Sequence, residues 1–216
     1  MKQTAVDKAY SWLRQRILDG TLPGGSFVDE AAVCNATGVS RTPAREAFNR
    51  LEGERFITLV HRRGAQVREL NSTDLHDAFN ARFMVESFAA SEFCANEKPV
   101  PEAMHEQLAI MDELVDFTDP EVQMQYLAAD HAFHGALVTS LSNRSISEFF
   151  DSLWRVNQWG LITRSSWLQA ESFVVPNRIQ HHALVTKLAV HDAAGATQVL
   201  RSHLRVAYTN PLPQHV

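Results

Sequence analysis

The stretch from Gly38 to Ala47 constrains the fold of this chain more than any other part of the sequence. Residues 38–40 interrupt one helical pattern, and a new pattern begins near Thr42 with Pro43 in its first turn. Proline is tolerated there because the first amides of a helix have no partner within the helix. Apolar side chains then recur at three- and four-residue spacing, at Ala44, Ala47, Phe48 and Leu51. This pattern predicts a short amphipathic helix that the chain enters through a sharp turn.

The segments on either side of this helix predict a particular order of elements. Apolar spacing over residues 6–20 predicts a first helix that ends at Gly20, and a second helix is expected at about residues 29–36. Residues 56–60 and 65–70 are predicted strands, joined as a hairpin by the basic turn between them. Three short helices followed by a hairpin is the order of a winged helix-turn-helix.

The chain changes in charge and in pattern near residue 70. Residues 1–70 carry 11 Lys and Arg against 8 Asp and Glu, whereas residues 71–216 carry 9 against 17. Only a basic module needs to approach phosphates, so the imbalance suggests two modules with different partners. Beyond residue 70 we predict helices at 73–97, 101–117, 120–141, 145–165, 175–192 and 195–209. The predicted fold is mainly α: a winged helix-turn-helix over residues 1–70 and an all-helical bundle of six helices over residues 71–216.

The sequence also limits where the protein is expected to act. It contains no run of about 18 to 20 uncharged apolar residues that would cross a bilayer. Met1 to Thr4 lead into a charged amphipathic segment rather than the apolar run of a secretory signal. The two cysteines, Cys34 and Cys94, lie in helical patterns far apart, which is typical of a reduced protein without disulfides. We therefore expect a cytoplasmic protein with no membrane partner.

The exposed side of the helix after residue 40 carries groups suited to nucleic acid. Arg41 and Arg45 are four residues apart and share one face, while Thr42 lies at the positive end of the helix dipole. The hairpin turn adds Arg63 beside Gly64, where the backbone can approach a groove closely. These features predict a recognition helix whose arginines reach base edges in the major groove. Spacing alone leaves open a solvated helix face and an ordinary basic turn.

Four residues of the second segment form a candidate metal site. Asp130 and His134 are four residues apart on one predicted helix, and His181 and His203 lie on the two later helices. One carboxylate and three imidazoles suit a borderline divalent ion such as Zn²⁺ or Ni²⁺. Spacing alone leaves open that these are ordinary surface or core histidines, since the chain has 10 histidines.

The first segment closely resembles the winged-helix domain of GntR-family regulators. The resemblance is carried, in chain order, by Ile17 to Gly24, Gly38 to Ala47, Leu51-Glu52 and Arg63 to Val67. It implies that the recognition helix contacts DNA through Ser40, Arg41, Thr42 and Arg45. It places Gly64 at the wing tip, and Arg63 beside it is expected to contact DNA as well. Two residues depart from the family: Arg55 stands where glycine is common, and Ala31 where some members have a DNA-contacting arginine.

The second segment resembles the FCD effector domain that follows this winged helix in the FadR branch of the family. The resemblance is carried by Arg82 with Glu86, Asp130 with His134 and Leu137, Ser142-Asn143, Gln180-His181 and Ser202 to Leu204. Six helices are similar to the VanR-type subgroup. The resemblance implies that Asp130, His134, His181 and His203 are metal ligands. It also implies that Arg82 faces the same cavity and holds an acidic effector.

Some residues near the candidate ligands need a separate interpretation. Gln180 replaces a glutamate that usually precedes the histidine, but it is not a ligand. His131 and His182 adjoin ligands and point about 100° away from them on a helix, so we interpret both as bystanders. A register slip that makes His182 the ligand is the main alternative. Arg155 and Asn157 are further candidates for the lining of the cavity.

Together these features predict a homodimeric transcription regulator that binds double-stranded, pseudo-palindromic operator DNA and responds to a small carboxylic acid. Repression with release by the acid is the default expectation, and activation stays open. One alternative is a metal-dependent hydrolase with an accessory winged helix, for which no motif places a general base. Another is an architectural DNA-binding protein whose helical bundle only dimerises.

Overall fold

The computed structural model describes residues 4–69, 71–162 and 171–206, without the side chains of residues 72, 75, 120, 155–162, 171–173, 205 and 206. The chain divides into two compact units, Met1–Asn71 and Ser72–Val216. That division lies one residue after the boundary expected from the sequence. Arg155 and Asn157, suggested as cavity-lining residues, lie outside the described side chains.

The first unit has three helices and a three-stranded antiparallel sheet. In chain order the elements are α1 (Ala5–Leu18), β1 (Phe27–Val28), α2 (Glu30–Thr37), α3 (Arg41–Gly53), β2 (Ile57–Val60) and β3 (Gly64–Val67). The strand order is β1-β3-β2, with Ile57 opposite Val67 in the hairpin and Phe27 opposite Gln66 at the other edge of β3. This is the predicted winged helix-turn-helix with one additional short strand.

Local signals explain where the short helices begin and end. The side chain of Asp29 accepts a 2.7 Å hydrogen bond from the Ala32 amide and so caps α2. Gly38 ends α2 with a φ of 72°, a left-handed conformation that glycine adopts without strain. The predicted apolar face of α3 is buried as expected, at Ala44, Ala47, Phe48 and Leu51.

The strand β1 was not predicted, because two residues are too few to show an alternating pattern. Its pairing with β3 explains why residue 64 is glycine. Gly64 has a φ of 90°, and a Cβ atom there would come within 2.5 Å of the Val28 carbonyl oxygen. Only a residue without a side chain allows this close approach between β1 and the start of β3.

The described part of the second unit consists of six helices, the predicted number. They are α4 (Ser72–Ala95), α5 (Glu102–Glu113), α6 (Pro120–Thr139), α7 (Arg144–Ile162), α8 (Glu171–Ala189) and α9 (Ala193–Val206). Their shared apolar core includes the fully buried side chains Phe93, Met104, Met111, Tyr126, Phe133 and Phe150. No described helix is long and apolar enough to cross a membrane. Cys34 and Cys94 are both free thiols.

Two helix boundaries of the second unit differ by four residues from the predicted ones. The helix α5 ends at Glu113 rather than at residue 117, because Leu114 turns to an extended conformation. Phe117 instead packs edge-on against Tyr126, with ring centroids 5.3 Å apart. The helix α8 begins at Glu171 rather than at residue 175, so Pro176 lies inside it rather than at its start. A proline near the start of a long helix costs a single backbone hydrogen bond, and packing outweighs this loss.

Arg55 provides a test of the backbone strain in the first unit. It follows the end of α3 with a φ of 62°, in the left-handed region that disfavours side chains. We expect Arg55→Gly to be more stable than Arg55→Ala by about 1 kcal/mol, because both remove the side chain but only glycine relieves the strain. Denaturant unfolding of both variants measures this difference. An alanine variant equal to or more stable than the glycine variant would contradict the strain argument.

Candidate DNA interface and metal centre

The exposed face of α3 and the β2–β3 turn border a groove of about 570 Å³ in the first unit. Four of the residues predicted to contact DNA line this groove: Arg41, Arg45, Arg63 and Gly64. Ser40 and Thr42 are exposed at the amino end of α3, and the Ser40 side chain makes no capping hydrogen bond. Unpaired amides at a helix start favour a phosphate, which suits the positions of Ser40 and Thr42.

Arg45 is held by an acidic partner that the sequence analysis did not identify. Its Nε lies 2.8 Å from Oε1 of Glu30, and its Nη2 lies 3.2 Å from Oε2. Glu30 is the first residue of α2, where a carboxylate also interacts favourably with the helix dipole. The sequence pattern indicates only this interaction with the helix dipole. It does not indicate the contact with Arg45, because α2 and α3 meet only in the folded unit.

Arg63 has an aromatic partner that the sequence analysis also missed. Its guanidinium carbon lies 4.5 Å from the centroid of the Phe27 ring. Phe27 belongs to β1 and is 44% exposed, an unusual degree of exposure for a large aromatic side chain. Because β1 itself was not predicted, no sequence signal placed Phe27 beside the hairpin turn.

The four predicted metal ligands converge at one point inside the second unit. Asp130 and His134 lie on successive turns of α6, His181 lies on α8 and His203 on α9. One ligand atom from each residue lies within 4.8 Å of all the others, and all four residues are buried. The Nε2 atom of His134 is 3.1 Å from the Nε2 atoms of both other histidines. Oδ1 of Asp130 is 3.1 Å from the Nε2 atom of His181.

Neighbouring acceptors orient two of these imidazoles. Oε2 of Glu86 lies 2.6 Å from Nδ1 of His134, and Oε1 of Gln180 lies 3.2 Å from Nδ1 of His203. A carboxylate only accepts hydrogen bonds, so the His134 proton belongs on Nδ1 and its Nε2 lone pair faces the centre. The same arrangement holds for His203. A carboxylate or amide behind a histidine is the usual outer support of a metal ligand.

Electrostatics favour an ionised Asp130 beside neutral imidazoles of His181 and His203. Burial opposes the charged form of Asp130, but the hydrogen bond from His181 and the nearby charges of His134 and Arg82 outweigh it, so the pKa of Asp130 is lowered. Burial lowers the pKa of His181 and, together with the two other histidines, lowers the pKa of His203 well below its usual value. Metal binding requires these protonation states.

Arg82 is buried beside this centre and is only partly paired. Its Nε donates to Oε1 of Glu86 at 2.7 Å, and Glu86 is the residue that supports His134. Its Nη2 has no hydrogen-bond partner among the described residues, although Arg82 is only 2% exposed. Its guanidinium lies over the rings of Phe150 and Trp154. A buried donor without an acceptor is costly, so this atom is suited to receive an anion.

The two histidines interpreted as bystanders lie away from the convergence point. His182 is exposed, and its Nε2 lies 2.9 Å from Asp112. His131 stacks on Phe150 and Trp154, and its Nε2 lies 3.2 Å from Asp151. Neither belongs to the buried cluster, so the structure places His181 there rather than His182.

A buried pair one helical turn before the cluster was not predicted. The hydroxyl of Tyr126 donates to Oδ1 of Asn177 at 2.8 Å. Tyr126 precedes Asp130 by four residues on α6, and Asn177 precedes His181 by four on α8. The bond therefore connects the two helices next to their metal-ligand positions. Burial raises the pKa of Tyr126, so the hydroxyl remains protonated.

The donor set fits a divalent metal ion. Three imidazole nitrogens and one carboxylate oxygen suit a borderline ion such as Zn²⁺ or Ni²⁺. Without a cation, Nε2 lone pairs would face one another, and Nδ1 of His181 also has no hydrogen-bond partner among the described residues. A cation bound by all four residues would satisfy the converging atoms.

Comparisons with known proteins agree with this division into two units. The family described as bacterial regulatory proteins, gntR family, matches residues 5–67, and the FCD domain family matches residues 77–206. A transcriptional repressor of Escherichia coli, GlaR, is 24% identical over 210 residues, which is 94% of each chain. The Bacillus subtilis regulator YdhC is 25% identical over 147 residues, covering 66% of this chain and 63% of its own length.

A crystal structure agrees with the fold over nearly the whole chain. The GntR transcriptional regulator from Rhodococcus sp. RHA1 is 27% identical, with a TM-score of 0.74, over 94% of this chain and 95% of its own. The matched families and these relatives are regulators, so the hydrolase alternative has no support. The chain belongs to the GntR family of bacterial regulatory proteins, in the FadR-type branch with an FCD domain, and is a DNA-binding transcriptional regulator rather than an enzyme.

Proposed function

We propose that this protein is a repressor whose second unit binds a divalent metal and a small carboxylic acid, and whose first unit then releases operator DNA. The observation that carries the proposal is the buried cluster of Asp130, His134, His181 and His203, connected through Glu86 to Arg82, whose Nη2 has no hydrogen-bond partner among the described side chains. The repressor GlaR, similar over 94% of each chain, supports the sign of regulation. Operator DNA lies in the bacterial cytoplasm, and the proposal places the protein there.

The balance of charges around the candidate metal centre supports an acidic effector. Arg82 and a divalent ion place three positive charges in a buried region that also contains the carboxylates of Glu86 and Asp130. An additional anion would neutralise the remaining charge and accept a hydrogen bond from Nη2 of Arg82. A neutral sugar or a cation would do neither. A metal supplies a Lewis acid to which the carboxylate of an effector can bind.

For DNA binding, the proposal assigns base or phosphate contacts to Ser40, Arg41, Thr42, Arg45, Arg63 and Gly64. Two copies of α3 must reach successive major grooves of a pseudo-palindromic operator, so the proposal includes a homodimer. Effector binding then alters helix packing in the second unit and the spacing of the two copies. Coupling of this kind usually amounts to about 1–3 kcal/mol. Membership of the VanR-type subgroup and the choice between Zn²⁺ and Ni²⁺ stay predictions.

The metal assignment predicts the effect of single ligand substitutions. His134→Ala and His181→Ala should each lose bound metal, because each removes one of four ligands. A metal bound only by the folded state stabilises it by about 2.7 kcal/mol at one hundred times its Kd. At about 2–4 °C per kcal/mol for a chain of this size, Tm should fall by at least 5 °C. Elemental analysis after dialysis and thermal unfolding measure both effects.

His182→Ala is the matched control, because His182 is exposed and its ion pair with Asp112 lies at the surface. It should keep the metal and change Tm by less than about 2 °C. Chelation should lower the Tm of the wild type and of this control, but not that of the ligand variants. Loss of metal from His182→Ala with retention in His181→Ala would contradict the assignment.

The effector assignment predicts a selective defect in Arg82→Lys. Lysine keeps the charge and can pair with Glu86, but it removes the second nitrogen that lacks a partner. The variant should keep its metal, bind operator DNA normally and bind a carboxylic acid about tenfold or more weakly. Calorimetry of the full chain with small carboxylic acids, each paired with its amide, measures this. Preference for the amides, or release from DNA by acid as in the wild type, would exclude the mechanism.

The DNA assignment predicts that Arg45→Ala costs about 1–3 kcal/mol of specific binding if Arg45 contacts a base. Lys8→Ala is the charge-matched control, since Lys8 lies exposed on α1 and does not line the groove. Fluorescence anisotropy with an operator duplex measures the affinity, and circular dichroism confirms folding. Equal affinities for the two variants would remove Arg45 from the interface.

A further inference from the structure

The two arginines on either side of the groove each contact a residue at the junction of β1 and α2. Glu30 binds Nε and Nη2 of Arg45 at 2.8 and 3.2 Å, and the Phe27 ring lies 4.5 Å from the guanidinium of Arg63. Glu30, Arg45 and Arg63 all line the groove, and Phe27 is exposed beside it. One four-residue segment therefore supports both cations.

The contact with Glu30 uses only some of the N–H groups of Arg45. A guanidinium has five N–H groups in one plane, and Glu30 uses the Nε–H and one N–H of Nη2. One N–H of Nη1 and the second N–H of Nη2 form another edge of the same plane, which is directed away from Glu30. That pair matches the O6 and N7 acceptors of guanine in the major groove. Arg45 can thus bind a guanine while it stays bound to Glu30.

The charge of Glu30 affects specific and non-specific binding in opposite directions. On any duplex, a carboxylate in the groove repels phosphates and weakens the sequence-independent attraction. On the correct sequence, the same carboxylate holds the guanidinium in place, so less side-chain freedom is lost on binding. The Glu30–Arg45 pair is exposed and contributes little to the stability of the fold. An effect on binding rather than on folding is therefore expected from this pair.

Phe27 restricts Arg63 in a comparable way. The contact is between a cation and an aromatic face, which orients the guanidinium plane without using its N–H groups. Phe27 is next to Val28, whose carbonyl oxygen approaches Gly64. The strand β1 thereby places the ring directly beside the turn that carries Arg63.

We propose that Phe27 and Glu30 are positioning residues that set the sequence specificity of DNA binding, by holding Arg63 and Arg45 in the orientation that reads bases. This inference rests on the proposed DNA-reading roles of the two arginines. Phe27 and Glu30 contact the arginines rather than the DNA. Glu30 in addition lowers the affinity for non-specific DNA.

The test compares two duplexes: one selected from a random-sequence library by the wild-type full chain, and one with the same bases in scrambled order. Glu30→Gln should lower the ratio of the two affinities about five- to tenfold, and raise the affinity for the scrambled duplex about twofold. Glu46→Gln is the matched control, because Glu46 is exposed on α3 and forms no ion pair with Arg45 in the described part of the chain. It should leave the ratio within about twofold of the wild type.

Double-mutant cycles separate positioning from a structural effect. Glu30→Gln should have no effect on the ratio in an Arg45→Ala background. Phe27→Leu should lower the ratio about threefold, Phe27→Tyr should preserve it, and the loss should disappear in an Arg63→Ala background. The inference would be overturned, and the proposed function left intact, by either of two results. One is an affinity ratio that Glu30→Gln does not change, and the other is a drop in the ratio that persists in the Arg45→Ala background. A wild-type chain that selects no preferred duplex would overturn the proposed function as well.

Discussion

The carboxylate of Glu86 is the group on which the arrangement of the second unit depends. It is fully buried, and its two oxygens lie 2.7 Å from Nε of Arg82 and 2.6 Å from Nδ1 of His134. Burial alone would raise the pKa of Glu86, but these two partners more than offset it and lower that pKa. The group is therefore a charged carboxylate in the core. Removing one partner of such a buried pair typically costs about 3–5 kcal/mol.

Under the proposed function, this network would let one side chain link metal binding and effector binding. Glu86 holds His134 in the tautomer that presents Nε2 to the candidate metal centre. It also binds Nε of Arg82, whose Nη2 has no partner within the described part of the chain. A change at Arg82 therefore alters the charge balance at His134, and the reverse is also true. These three residues lie on α4 and α6, and the other candidate metal ligands lie on α6, α8 and α9, so contacts in this region connect four helices. Effector binding at this place would act directly on the framework of the unit.

In the first unit the charged residues discussed above are at the surface rather than in the core. Its arginines lie at the surface, where an ion pair such as Glu30 with Arg45 contributes little to folding. The apolar faces of α1, α2 and α3 supply the stability, through buried side chains such as Leu13, Val33 and Leu51. The exposed side of α3 is thus available for recognition. Exposed groups whose orientation is set by neighbours lose little freedom when they bind a ligand.

The sequence by itself determined most of the helices and strands, and it predicted that Asp130 and His134 share one face. Helical spacing, Gly38 as a helix end and the apolar face of α3 are local signals, and local signals are readable because the backbone preferences of a short segment need no distant partner. Asp130 and His134 are four residues apart on one helix, so their shared face was also predictable. That His181 and His203 join them came from the resemblance to the FCD domain. Spacing alone leaves the relative placement of three helices undetermined.

Only the tertiary structure decided the partners that orient these residues. The contacts of Glu30 with Arg45, Phe27 with Arg63 and Tyr126 with Asn177 connect residues that are 15, 36 and 51 positions apart in the chain. The two-residue strand β1 is too short for a periodic pattern and exists because β3 offers it a free edge. The lack of a partner for Nη2 of Arg82 among the described residues is likewise a property of the packed core, since a sequence does not show which donors are left without an acceptor. Side-chain packing between distant segments determines such contacts, and no local propensity encodes them.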